Sequence, residues 1–361
     1  LATPSKILIA PLDWGLGHTT RCIPIIRYLI ARGNEVYVAA EGASARLLLE
    51  NFPAMNVLPL DGYRIQYSRK KEMFTIKILL QIPKILATIK KEHRWLQQQQ
   101  QIHQFDLIIS DNRYGLYHDK IPCVILTHQL QILSGKGNWA DAILRKLHYQ
   151  LLNRFRKCWI VDEERSGGFS GKLAHPKILP PHAAYIGLLS QFSGNLTSSI
   201  EHDNTKILVL LSGPEPMRSQ LELLILQQAK ALTTYQFTIV GGNPLGNMIH
   251  DLPNHITYYT HLNAPKLLPE LQNASLVICR SGYSTIMDLA VLGKKAILIP
   301  TPGQTEQEYL AEYLNKKKYF STCKQEALQL ATQIPMALSA EMQTAIVVEH
   351  KIKTLLEKAI L

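Results

Sequence analysis

KILIAPLDWGLGHTTRCIPIIRYLIARGNEVYVAA, residues 6–40, sets the fold class. KILIA reads as a buried strand, the run from Cys22 as a helix, and EVYVAA as the next strand. Between the first strand and the helix stand Gly15, Gly17 and His18. Glycine permits tight backbone approach, and a helix expected from about Thr19 aims the positive end of its dipole above the turn. The turn is a site for an anion or a polar sugar. It matches the dinucleotide pattern G-x-G-x-x-G only in part, since Thr20-Arg21 stands where the third glycine would be.

The same alternation continues along the chain. DLIISD, CVILTH and KCWIVDE extend the first series of strands, and KILVLLSG, QFTIVGG, HITYYT, SLVICRSG and KAILIPTP make a second. Short β-rich runs separated by helical stretches predict parallel α/β sheets, and two series predict two doubly wound domains. The connection is expected to open near the Pro180-Pro181 pair and run through a Ser/Gly/Asn-rich stretch. The expected boundaries are 1–187 for the first domain, 188–204 for a linker, 205–340 for the second domain, and a last helix over 341–361.

Composition narrows the functional classes. The 361 residues are 46% hydrophobic and 19% charged, as in a soluble globular protein. No apolar run approaches the roughly 20 residues that span a bilayer, and with no long apolar h-region ahead of the first strand a secretory signal is not expected. A cytoplasmic protein is the expectation. Five cysteines, at 22, 123, 158, 279 and 323, have no C-x-x-C pair, which argues against a disulfide framework or a zinc site.

The formal charge of +11 is unevenly distributed. Residues 64–94 hold nine Lys/Arg against Glu72 and Glu92. Ile78, Ile82, Ile85, Leu86 and Ile89 recur there at helical spacing, with Lys77, Lys84 and Lys91 seven apart and Pro83 as a break. Such a segment offers a surface for anionic lipid or an acidic acceptor, or its apolar stripe faces the core. It lacks interleaved exposed aromatics and no reader motif is present, so nucleic acid is not an expected partner.

Three strand-to-helix turns carry polar chemistry: the Gly15–His18 turn, Ser212-Gly213 after KILVLL, and Arg280-Ser281-Gly282 ahead of Ser284 and Thr285. Ligands of open α/β sheets bind beyond the carboxyl ends of the strands, and all three turns are such ends. The segment CRSGYSTIMDLAVLGKKAILIPTPGQTEQEYLAEYL, with Arg280, Gly282, Thr285, Gly293, Pro300 and Gln307 in register, resembles the donor-binding segment of glycosyltransferase family 28. The resemblance implies a GT-B fold, two Rossmann-like domains facing each other across a cleft, with the acceptor on the first and a nucleotide-sugar on the second. It also implies a last helix crossing back to the first domain.

Carried over to this chain, the resemblance gives Asp288 to the ribose hydroxyls, a shorter side chain than the family's Glu. Gln307, with Gln304 and Glu306, falls where the family meets the donor sugar. Ser281, Gly282, Ser284 and Thr285 would receive the diphosphate without a metal, with Arg280 beside them. Ser212 and Gly213 would close over the donor, and the base would lie near Leu262. The family's Asn after the glutamine turn is replaced by Ala311-Glu312.

An inverting transfer needs a group that takes the acceptor proton, and neutral imidazole suits this at neutral pH. His18 is the first choice, Asp111 in IISDNRYG its competitor, and His128 a group to orient the acceptor beside Gly15, Gly17 and Thr19. The leading expectation is an inverting, metal-independent transferase. It would move a sugar, such as an N-acetylhexosamine, from UDP to a glycan or lipid-linked acceptor, with no further cofactor and at the inner membrane face. GLGHTTRC also resembles the start of nucleotide-sugar hydrolases of pseudaminic acid biosynthesis, so hydrolysis stays open. A non-catalytic nucleotide-sugar binder is the third reading.

Overall fold

The computed structural model describes residues 4–64, 81–132, 137–193, 203–243 and 246–343, together with 354 and 356. The chain divides into two compact units, built on Leu1–Gln191 and Phe192–Ile346. The terminal helix expected over 341–361 falls almost wholly outside the described residues, as do residues 65–80 of the basic segment.

In the first unit the strands are β1 (Lys6–Ala10), β2 (Glu35–Ala39), β3 (Asn56–Leu58), β4 (Leu107–Asp111), β5 (Cys123–Thr127), β6 (Lys157–Ile160) and β7 (Ala183–Tyr185). The helices are α1 (Leu16–Ala31), α2 (Gly42–Asn51), α3 (Ile82–His103) and α4 (Asn138–Leu152). The sheet order is β3-β2-β1-β4-β5-β6-β7, with every pair parallel. β1 pairs with β2 and β4 in register, Ile7 opposite Val36 and Ile9 opposite Ile109. Leu8, Ile108 and Ile125 are fully buried, as expected of strands covered on both faces.

The second unit repeats the plan. Its strands are β8 (Lys206–Leu210), β9 (Gln236–Val240), β10 (Ile256–Tyr259), β11 (Leu276–Cys279), β12 (Ala296–Leu298) and β13 (Ser321–Thr322). Helices α5 (Met217–Ala229), α6 (Ala264–Asn273), α7 (Tyr283–Val291), α8 (Thr305–Lys316) and α9 (Leu330–Ser339) connect or cover them. The order is β10-β9-β8-β11-β12-β13, again parallel, around a core that includes Val209, Ile239, Ile278 and Ile299. In both sheets the chain winds outward from its first strand, returns, and continues on the other side. The reversal opens a crevice beyond the carboxyl ends of β1 and β4, and of β8 and β11.

Three details differ from the sequence reading. α1 begins at Leu16, not near Thr19, because Gly15 takes φ 93° as its N-cap and puts Gly17 and His18 in the first turn. Pro83 sits in the first turn of α3, where its missing N–H costs nothing, and the residues before position 81 lie outside the described ones. Residues 183–185, read as part of the connection, form edge strand β7. Among the described residues no helix is long and apolar enough to cross a membrane.

Gly242, after β9, shows how tightly these strand ends are built. It has φ 68°, and a Cβ there would stand 2.0 Å from the Leu211 carbonyl oxygen. Gly242→Ala is expected to destabilise the protein by about 2 kcal/mol, read from the shift in the urea unfolding midpoint.

Candidate active site

In the first unit the polar side chains converge on the crevice between β1 and β4. Asp111 ends β4 and Arg21 lies in the second turn of α1, and both are buried. The Arg21 fork grips the carboxylate: Nε donates to Oδ2 at 2.7 Å and Nη2 donates to Oδ1. His18, one turn earlier on the same helix face, places Nδ1 at 3.1 Å from Asp111 Oδ2 and 2.8 Å from Arg21 Nη2. His128 Nδ1 accepts from Arg21 Nη1 at 2.9 Å.

Two placements of the His18 proton fit these partners. A guanidinium only donates, so Nδ1 either accepts from Arg21 or donates to Asp111. With the Asn112 amide turned so that its nitrogen donates to Thr127 Oγ1 at 3.0 Å and to the Leu126 carbonyl at 3.1 Å, its oxygen accepts from Arg21 Nη2 at 3.2 Å. In that arrangement Asp111 and Asn112 take the Nη2 hydrogens, and the tautomer that fits has Nδ1–H of His18 donating to Asp111 with the lone pair on Nε2. Burial, reinforced by the Arg21 charge and opposed by Asp111, holds His18 below the ordinary imidazole value of 6.5. Burial would raise Asp111, but the charges of Arg21 and His18 and their hydrogen bonds outweigh it and hold the carboxyl down at about 2. At neutral pH the site is therefore a neutral imidazole on a permanently ionised carboxylate.

The sequence reading set His18 and Asp111 against each other as candidate bases, whereas the structure joins them. Asp111 is wholly buried with both oxygens engaged, and His18 keeps 14% of its side chain exposed. Thr19, read as facing an acceptor, points inward: it is fully buried and its hydroxyl donates to Ser44 Oγ at 2.8 Å, tying α1 to α2. The Gly17 carbonyl accepts from Thr20 Oγ1 at 3.0 Å within the first turn.

A second buried pair braces this turn. Glu92 of α3 accepts from Arg113 Nε at 2.8 Å, the Tyr63 hydroxyl at 2.9 Å and the Gly115 N–H at 3.0 Å. Asp13 accepts from the Tyr63 N–H at 3.0 Å, so the loop holding His18 is fixed to 61–64 and, through Glu92, to the loop after β4. Gly62 is required for that approach, because a Cβ there would lie 1.9 Å from Asp13 Oδ2.

In the second unit the turns named by the motif meet beyond β8, β11 and β12. Ser212 and Gly213 are exposed, and Gly213 has φ 106°. Gly282 is the N-cap of α7, with Ser284 and Thr285 half-buried in its first turn and Asp288 one turn further. Leu262 is half-buried just beyond β10, one residue ahead of the Asn263 cap of α6.

Three motif residues turn inward. Arg280 is buried; its guanidinium donates to the carbonyls of Pro300 at 3.2 Å and Met217 at 2.8 Å and to Gln325 Oε1 at 2.8 Å, and burial lowers it to about 10. Ser281 Oγ donates to the Gln307 carbonyl at 2.9 Å. Gln307 accepts from the Thr301 N–H at 2.9 Å and donates to Gln304 Oε1 at 2.6 Å, which closes the 301–307 turn. Glu306 stands in the first turn of α8, where a carboxylate suits the helix dipole. Among the described residues no group of three or more His, Cys, Asp or Glu side chains is arranged to hold a metal ion.

Residues 218–355 match the glycosyltransferase family 28 C-terminal domain. The chain is a glycosyltransferase of GT-B fold, and its second unit carries the match to the family 28 C-terminal domain. It is 22% identical over 330 residues to an uncharacterized glycosyltransferase of Methanosarcina acetivorans, covering 87% of this chain and 82% of the relative. Over 102 residues it is 30% identical to the UDP-N-acetylglucosamine–N-acetylmuramyl-(pentapeptide) pyrophosphoryl-undecaprenol N-acetylglucosamine transferase of Methylorubrum extorquens, covering 27% of this chain and 24% of that enzyme. Two solved structures share the fold. The glycotransferase of kitacinnamycin has a TM-score of 0.68 at 14% identity, over 99% of this chain and 95% of that one. MurG of Acinetobacter baumannii has a TM-score of 0.55 at 15% identity over the same shares.

Arg21 and Asn112 are the residues of this glycosyltransferase that the sequence reading passed over. His18 and Arg21 are spaced i, i+3 and so share a helix face, and that spacing was the available signal. Replacing Arg21 with Met removes the cation that opposes imidazolium. The His18 titration midpoint is expected to rise, followed by NMR of the ring protons, and stability to fall by about 3 kcal/mol because Asp111 loses its partner.

Proposed function

We propose that this glycosyltransferase moves a sugar from a UDP-linked donor to a hydroxyl acceptor with inversion and without a metal. The carrying observation is the His18–Asp111 pair at the β1/β4 crevice. The first unit supplies the acceptor site and the base, and the second unit the donor site. Nε2 of neutral His18 takes the proton of the acceptor hydroxyl as that oxygen attacks the anomeric carbon opposite the diphosphate. The new C–O bond forms as the bond to the diphosphate breaks, and UDP leaves with the electron pair. Ionised Asp111 holds the ring and balances the imidazolium charge. The N-terminus of α7, at Gly282, Ser284 and Thr285, receives the growing negative charge in place of a metal ion. Asp288 is assigned to the ribose, and Gln304, Glu306 and the turn that Gln307 closes to the sugar.

A lipid-linked acceptor is supported by an exposed stripe on α4. Trp139, Ile143 and Leu147 are 70%, 53% and 54% exposed at successive i, i+4 positions. Arg145 and Lys146 lie on the same helix. Ile85 and Ile89 of α3 and Leu151 of α4 belong to one buried cluster, and α3 presents exposed Lys84, Leu86, Lys90 and Lys91. Exposed apolar side chains on helices that also carry exposed cations fit an anionic membrane surface. The name of the Methylorubrum relative, which specifies an undecaprenol-linked acceptor, agrees with this reading.

His18→Ala is expected to lower kcat by about 10³-fold while UDP affinity, measured by calorimetry, stays at the parent value. Because His18 titrates below 6.5 and only its neutral form accepts a proton, the parent's kcat/KM should hold through neutral pH and fall only on the acid side of that value. A profile falling above 6.5 would contradict the assignment. Ile143→Glu with Leu147→Glu should reduce co-sedimentation with vesicles containing anionic phospholipid, leaving the thermal midpoint unchanged, because both side chains are exposed.

A further inference from the structure

Thr301 follows β12 and is 2% exposed. Its backbone is spoken for: the N–H donates to Gln307 Oε1 at 2.9 Å and the carbonyl accepts from the Gln304 N–H at 3.0 Å. Its hydroxyl has no hydrogen-bond partner among the described residues. A buried hydroxyl left unpaired lowers stability, so a partner from outside the protein, a water or a ligand, is called for.

The neighbour of that hydroxyl says where such a ligand comes from. A Cβ built on Gly213 would meet only Thr301 Oγ1 within 4 Å, at 3.6 Å. Gly213 itself is exposed and turns with φ 106°. An anion laid on the Gly213 backbone therefore comes within reach of a hydroxyl whose remaining surroundings are protein. Of the donors nearby, Ser281 is engaged with the Gln307 carbonyl, and Arg280 is engaged with carbonyls of its own unit through its two terminal nitrogens, while its buried Nε has no partner among the described residues. Gln307 closes the turn that carries Thr301 and so acts through it.

We propose that Thr301 Oγ1 donates a hydrogen bond to a phosphate oxygen of the nucleotide-sugar donor where the diphosphate crosses Gly213. This rests on the UDP-donor reading above and adds a residue that the family motif does not supply. Thr301→Val keeps the shape and removes the hydroxyl, and Thr301→Ser keeps the hydroxyl and removes the methyl. Calorimetry with UDP and with uridine should show UDP bound about tenfold more weakly by the valine variant, parent-like affinity in the serine variant, and uridine affinity unchanged in both. Unchanged UDP affinity in the valine variant overturns the proposal and leaves the donor reading intact. An equal loss for uridine, or in the serine variant, also overturns it, since the contact would then not be hydroxyl to phosphate. A parent protein that binds no UDP removes the donor reading, and this inference with it.

Discussion

The buried ion pair between Arg21 and Asp111 is the constraint on which the first unit's chemistry rests. Two charges out of water are costly to place, and a fork-to-carboxylate geometry with every remaining hydrogen bond filled is what makes the arrangement tolerable. Here the guanidinium reaches Asp111, His128 and Asn112, so the ends of β4 and β5 are bound to one side chain of α1. His18 is fixed as a consequence. It shares its helix face with Arg21, donates to the carboxylate, and stays neutral because burial and the neighbouring cation both disfavour its charged form.

The same topological device is used twice, for different purposes. Each sheet reverses its winding next to its first strand, and each crevice is edged by a turn that needs a glycine in a left-handed conformation, Gly15 in one unit and Gly213 in the other. Inward-facing polar groups brace both turns. Glu92 with Arg113 and Tyr63 does so around β1, and Arg280 with Ser281 and Gln307 around β12. A site made of loop residues can hold its geometry because these buried bonds, not the loops themselves, set where the loops lie.

Ten of the strands were legible as apolar β-rich runs, and the parallel two-sheet plan followed from their alternation with helices. β3, β7 and β13 were not, because NVL, AAY and ST are edge strands of two or three residues with no periodicity to read. The start of α1 was misplaced because the helix is capped by the backbone of Gly15 and no Ser, Thr, Asp or Asn marks the position. In the candidate site, residue types were easier to read than directions. His18 and Asp111 were visible as polar residues at strand ends, but their joining depends on Arg21, which the sequence marked only as standing where a third glycine would be. Arg280, Ser281 and Gln307 were assigned to the donor by a motif that is silent on which way a side chain turns, whereas Thr301 carries no motif signal at all.

The central claim, transfer to an acceptor hydroxyl activated by His18, is tested most directly by UDP release from a panel of UDP-sugars with and without bacterial lipid and glycan extract. Release from one UDP-sugar that requires the extract, and is lost in His18→Ala, is the expected result. Equal release in buffer alone would mean that water is the acceptor and would contradict the account.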